Sequence, residues 1–230
     1  MAKKRTNYSH KLLGRKTSDA GFTILELMIS SSVFAVVLLV IAVGVINFTN
    51  TYYKGIISTE TQSVARTIMA DISQAVEFGG TVTTPNNGVS EICIDNTLYA
   101  YVVGQQVTNS PASGSSDQGY NGLIASNTGC PSSDPANDPA PYLKSGGAGS
   151  PGVPPGAREL LSQYMRLGFL SVTPTPDAGG LYTVQVRVLY GDDDLFNQTT
   201  NWATALCSGG PGSQFCAVSN LTTTVEKRLI

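Results

Sequence analysis

The stretch Gly21–Gly44, GFTILELMISSSVFAVVLLVIAVG, decides how the rest of the chain is read. One acid, Glu26, stands near its start, and the 20 residues from Leu27 to Ile46 then carry no charged side chain. At the rise of an α-helix this run is about 30 Å long, the thickness of one hydrocarbon core. A secretory signal peptide would have a shorter apolar region followed by a small-x-small cut. This run is longer, and no persuasive cut of that kind precedes Asn47. No cysteine stands near the start of the run to carry a lipid anchor. The expectation is therefore a helix that stays in the mature chain and crosses the cytoplasmic membrane once, with the N-terminus on the inner side and the bulk of the chain outside.

Charge supports that orientation. The formal net charge of −2 over 230 residues conceals an asymmetry. Up to Gly21 the bases Lys3, Lys4, Arg5, Lys11, Arg15 and Lys16 face Asp19 alone, a balance of +5. The remainder holds 8 of the 14 bases and 15 of the 16 acids, a balance of −7. A basic segment directly before an apolar run is explained by cytoplasmic retention. The acidic remainder does not suit a general nucleic-acid surface, because phosphate affinity comes mainly from Lys and Arg. No nucleic-acid contact is indicated.

The helix is predicted to start near Phe22 and to run past the bilayer. After Phe48 the pattern turns amphipathic, with Ile57, Val64, Ile68, Ile72 and Ala75 at spacings of seven, four, four and three. Gly79-Gly80 supplies a stop. The organisation read from this is a basic leader over 1–21, a membrane half of the helix over 22–48, an amphipathic half over 49–80, and a β-rich exterior domain over 81–230.

Within that domain Glu91–Asp95 and Thr97–Val103 suggest a hairpin. The segment 109–156 is crowded with Gly, Ser, Pro, Asn and Asp and reads as a long loop or partly ordered insertion. A short helix from Ala157 to about Met165 is expected next, followed by a strand over Leu167–Thr173. The cleanest strand is Leu181–Tyr190, where Tyr182, Val184, Val186 and Val188 alternate with Thr183, Gln185 and Arg187. Asp192–Asp194 mark a turn, and Leu221–Val225 could finish the sheet. The fold class is α+β, with the distal half of a long helix under an antiparallel sheet.

All four cysteines, Cys93, Cys130, Cys207 and Cys216, fall in the exterior part, which favours disulfides. Three pairings are possible. The short separation of Cys207 from Cys216 favours that bridge, leaving Cys93 with Cys130. No CxxC spacing occurs, and His10, the one histidine, lies in the leader, so zinc finds no ligand set. Asp192, Asp193 and Asp194 are the weak candidates for calcium, without EF-hand spacing, and a solvated turn explains them as well. No GxSxG elbow or P-loop is present, and no cofactor is called for.

The order of basic leader, Gly21-Phe22 junction, Glu26 and apolar run resembles the prepilin signal of type IV pilins and the pseudopilins of related secretion and uptake machines. The resemblance implies cleavage by a prepilin peptidase between Gly21 and Phe22, with N-methylation of Phe22. Glycine suits such a cut because its backbone can extend and approach a protease closely. The family also implies a role for Glu26, whose carboxylate would meet the N-terminal amine of a neighbouring subunit and set its register. An acid there also complements the helix dipole for about 0.3–1 kcal/mol. Further likeness, from Ser63–Ala75, from YTVQVRVLYGDDDL and from the cysteine-bearing end, is to PilW-type minor pilins and J-type pseudopilins. The implied partners are the peptidase, other pilin subunits and the assembly platform. The contrasting expectation is a tip adhesin, with the 109–156 segment and Tyr120, Tyr142 and Trp202 as its contact residues.

Overall fold

The computed structural model describes residues 21–83, 91–107, 122–127, 130, 157–175, 179–198 and 200–228. Residues 1–20 of the leader lie outside the described residues, as do Tyr120 and Tyr142. The chain divides into two compact units, one ending at Asn47 and the other Phe48–Ile230. A single helix, α1 (Ile24–Phe78), begins in the first and ends in the second.

In the first unit every described side chain is exposed. The helix there is apolar all round, which in a soluble protein would demand burial and in a membrane does not. Its only polar cluster, Ser30-Ser31-Ser32, turns inward on the backbone. Ser30 Oγ donates to Glu26 O at 2.8 Å, Ser31 Oγ to Met28 O at 3.0 Å and Ser32 Oγ to Ile29 O at 2.8 Å. The hydroxyls are thereby satisfied within the helix, as an apolar solvent requires.

In the second unit the same helix acquires a buried stripe of Ile57, Thr61, Ala65, Ile68, Met69, Ile72 and Val76. Val64 and Ala75 pack at its margin. Thr61 sits within the stripe because its hydroxyl bonds Ile57 O at 2.7 Å. The stripe is covered by two antiparallel sheets. One has the order β1 (Val82–Thr83), β2 (Glu91–Ile94), β3 (Thr97–Tyr101), β4 (Leu123–Ser126), β5 (Arg158–Glu159). The other has the order β6 (Met165–Pro174), β7 (Leu181–Tyr190), β8 (Ala217–Glu226). Gly104 N–H to Leu167 O at 2.8 Å and Val107 N–H to Met165 O at 2.9 Å tie them together. Ile68, Ile72, Ile92, Ile94, Leu123, Leu167 and Val186 belong to one core cluster.

Two expectations need correction. Part of the predicted insertion is structural: Leu123–Ser126 is a fully buried strand inside the five-stranded sheet, with Tyr99 opposite Ala125 and Ala100 opposite Ile124. The remainder of 109–156, apart from Gly122, Asn127 and Cys130, lies outside the described residues. The short helix over Ala157–Met165 does not form. Arg158-Glu159 instead pairs with β4, and Glu159 accepts backbone N–H bonds from Gly122 (2.7 Å), Leu123 (3.0 Å) and Leu161 (2.9 Å). These donors would be lost to it in a helix. Burial raises the Glu159 carboxyl pKa above its usual range, outweighing those donors.

Beyond these, β6 begins at Met165 and β8 at Ala217, each earlier than the pattern suggested. The β2–β3 hairpin turns at Asp95, whose φ of 55° is left-handed. Asp71 on the helix accepts from Tyr99 Oη at 3.0 Å and pairs with Arg158, joining α1 to β3 and β5. Burial first, and then the Asp71 charge, push the Tyr99 phenol above its ordinary range. At the far end, Glu77 pairs with Arg228 at 2.6 Å and receives its backbone N–H at 3.0 Å.

Candidate functional site

The N-terminal junction is built by a helix start. Gly21 and Phe22 precede α1, and Phe22 is 82% exposed. Thr23 is the residue before the first helical position, and its Oγ1 accepts the backbone N–H of Glu26 at 3.3 Å. Thr23-Ile-Leu-Glu26 thus has the spacing of a capping box, in which a hydroxyl residue and a Glu three places later satisfy orphan N–H groups. The Thr23 O also accepts from Glu26 N–H at 3.1 Å and Leu27 N–H at 3.2 Å. The spacing was present in the sequence, but the dipole reading of Glu26 overlooked it. Glu26 stands on the first turn of a helix with no buried side chain before Ile57, and among the described residues it makes no ion pair.

Residues 16–42 match the prokaryotic N-terminal methylation motif. The chain carries a type IV pilin-type prepilin signal. No curated protein and no solved structure matches the chain significantly. The prepilin signal joined to α1 and the antiparallel sheets gives an α+β, pilin-like arrangement. Among the described residues α1 is long and apolar enough to cross a membrane. That fits membrane anchoring.

In the pilin-like head, disulfides join Cys93 with Cys130 and Cys207 with Cys216, both at a Cα separation of 5.8 Å. Loop-entropy reasoning gives about 3 kcal/mol for the shorter bridge and about 4 kcal/mol for the longer. Replacing Cys207 and Cys216 together by serine is expected to cost about 3 kcal/mol in urea unfolding followed by Trp202 emission. No change in midpoint would show that the loop they close is held by other contacts.

The Asp192–Asp194 turn is held by side chains of other elements. Asp193–Leu195 forms a 3₁₀ turn. The Asp193 carboxylate pairs with Arg166, and Asp192 Oδ1 accepts from Gln106 Nε2 at 3.0 Å. Two of the three acids are thus engaged by side chains from other elements.

Arg166 is the residue that sequence reasoning missed. It projects from β6, is 1% exposed, and donates from Nη2 to Gly191 O at 2.7 Å. Its guanidinium lies 4.4 Å from the Trp202 ring and 5.4 Å from the Phe196 ring, within cation–π range. The chain is shaped around this knot. Gly104, at φ +81°, has the Trp202 indole where a Cβ would go, and a Cβ at Gly168 would lie 2.8 Å from Trp202 O. Gly168 also falls at the β6 register shift between Leu167 and Phe169. Leu189, Phe196, Ala205 and Cys216 form the cluster beneath the loop. Trp202, considered above as a contact residue of an adhesin, is occupied in this packing. The signal that could have found Arg166 was a lone base in an otherwise uncharged strand, MRLGFLSVTP.

Proposed function

We propose that this chain is a structural subunit, a minor pilin or pseudopilin of the PilW or J type, of a type IV pilus or related filament machine. The observation that carries the reading is the methylation motif at 16–42 running directly into one helix with two solvents. Its first half is exposed and apolar, suited first to lipid and then to a bundle of sister helices. Its second half is fixed under a head. Within membranes such rods associate through packing, since lipid tails are as apolar as Leu. The motif implies processing by a prepilin peptidase and assembly with other pilins. In the reading proposed, cleavage falls between Gly21 and Phe22 and the new amine is methylated. The Glu26 carboxylate, costly in apolar surroundings without a cation, then meets the amine of the neighbouring subunit. The head stands outside the cytoplasmic membrane and afterwards on the filament. Of the residues named for the adhesin reading, Tyr120, Tyr142 and most of 109–156 lie outside the described residues.

Glu26 has two roles to separate, because it also occupies the capping-box position. Gln serves a capping box as well as Glu does but carries no charge. Both Glu26→Gln and Glu26→Ala are expected to be processed and inserted, yet to enter filaments about tenfold less, equivalent to about 1.4 kcal/mol of docking energy. Immunoblots of sheared filaments against membranes measure this. Normal incorporation of Glu26→Gln would reduce the residue to a cap. Thr23→Ala is expected to cost about 1 kcal/mol of helix stability and to leave docking chemistry in place.

A further inference from the structure

The two sheets have four outer strands, and three of them offer little to a further strand. β1 and β5 are each two residues long, and β5 is the charged pair Arg158-Glu159. The outer edge of β6 is taken at its start by Gly104 and Val107, whose N–H groups bond Leu167 O and Met165 O. β6 is then broken by the register shift at Gly168 and ends in Pro174. Shortness, charge, bulges and proline are the devices by which sheet edges avoid joining other chains. β8 has none of them. It is ten residues long, keeps an unbroken register with β7, holds no proline, and carries no charge from Ala217 to Val225.

The C-terminal end of β8 shows which backbone groups face outward. Lys227 N–H bonds Gly180 O at 2.8 Å, on the β7 side, and Arg228 N–H bonds Glu77 O at 3.0 Å, on the other. Alternation along the strand therefore turns N–H and C=O of Val218, Asn220, Thr222, Thr224 and Glu226 away from β7. Among the described residues no backbone partner meets them. Beside this edge runs a groove of about 830 Å³, lined by Ser73 and Glu77 of α1 and by Thr223–Arg228. Ser73 Oγ is buried and has no hydrogen-bond partner among the described residues. Leu221 and Val225, which pack against the core cluster, are left only partly buried. All of these residues lie in the Phe48–Ile230 unit.

We infer that the free edge of β8 accepts an extended strand from another protein chain, which becomes the fourth strand of this sheet and lays alternate side chains over Leu221 and Val225. Strand addition of this kind takes affinity from main-chain hydrogen bonds and specificity from alternate side chains. The segment that fits is rich in β-branched residues, uncharged over about five residues, and neutral or basic beyond them. A second copy of this chain is a poorer occupant, because each copy carries a balance of −7 after Gly21 and the two repel.

The test is amide hydrogen exchange on the full, detergent-solubilised chain. The probe is a synthetic peptide of the β7 sequence, LYTVQVRVLY, blocked at both ends; it bears one positive charge, and the same sequence already pairs with β8 on the other side. Without peptide, the amides of Asn220, Thr222 and Thr224 are expected to exchange fast, and those of Leu221, Thr223 and Val225 slowly. Peptide at ten times its Kd is expected to slow the first set about tenfold. Thr222→Pro removes an outward N–H that the β7 ladder does not use, and is expected to keep the urea midpoint and abolish the slowing. Thr222→Lys places a charge on the edge without altering the backbone and is expected to weaken the slowing as well. A first set that is slow in the free chain at every concentration would show the edge already covered and overturn the inference. Slowing that grows with chain concentration alone would make a second copy the occupant and overturn the partner named. Full slowing in both Thr222 variants, or none at the highest soluble peptide concentration, would also overturn it.

Discussion

Replacing Arg166 by methionine is expected to destabilise the Phe48–Ile230 unit by about 3 kcal/mol. A hydrogen bond from a charged donor is worth about 1.5–3 kcal/mol, and methionine also forfeits the cation–π contacts while keeping most of the apolar volume. The two partners of the ion pair are unequal. Asp193 has a side chain 71% exposed, so water can replace its partner, whereas Arg166 is enclosed by Gly191 O, Gly104 O, Phe196 and Trp202. Asp193→Ala is accordingly expected to cost about 1 kcal/mol or less, as partly exposed pairs do. Urea unfolding of the detergent-solubilised chain, followed by Trp202 emission, measures both. An Arg166→Met midpoint no lower than that of Asp193→Ala would show that the surface pair, and not the buried contacts, holds the knot.

Ile72→Ala is expected to cost more than any change in the exposed half of the helix, about 2–5 kcal/mol. Ile72 is 1% exposed and belongs to the core cluster that the helix shares with both sheets. Truncation there removes apolar contacts and opens a cavity between layers fixed by strand pairing on both sides. Ile56, the residue directly before the stripe's first member Ile57, is 44% exposed and has no such lining, and Ile56→Ala is expected to shift head stability by about 0.5 kcal/mol or less. The comparison isolates burial on one face of the amphipathic half of the helix. Equal effects of the two substitutions would deny that the buried stripe carries the packing of the helix against the sheets.

The parts of the fold that were legible in the sequence are those in which one period dominates. The uncharged run from Leu27 to Ile46 and the Ile57, Ile68 and Ile72 stripe both read directly as helix, and Leu181–Tyr190 alternates cleanly enough to show its buried valines. Leu189 breaks that alternation by also being buried, because the loop after β7 covers the outer face of the sheet. Such covering is a tertiary event with no local period. Leu123–Ser126 was hidden for another reason: four buried residues, LIAS, sit between polar and glycine-rich stretches and show no alternation at all. Arg158-Glu159 favoured a helix by propensity, and backbone donors from Gly122, Leu123 and Leu161 overruled it.

At the candidate site the legible part was chemical order: base-rich leader, glycine, aromatic residue, acid, apolar run. The capping geometry of Thr23 and the burial of Arg166 were not deduced. The first was masked by a sufficient electrostatic explanation for Glu26. The second was masked because a strand arginine ordinarily faces water, and only the folded positions of Gly191, Phe196 and Trp202 give it somewhere else to go.

In the reading proposed, maturation keeps the apolar helix and removes its leader. Intact-mass measurement of the protein recovered from sheared filaments and from membranes tests this most directly. The expected result is a chain that begins at Phe22 and carries one added methyl group; a mature chain that still begins at Met1, or one that has lost Leu27–Ile46, would contradict retention of the helix and loss of the leader.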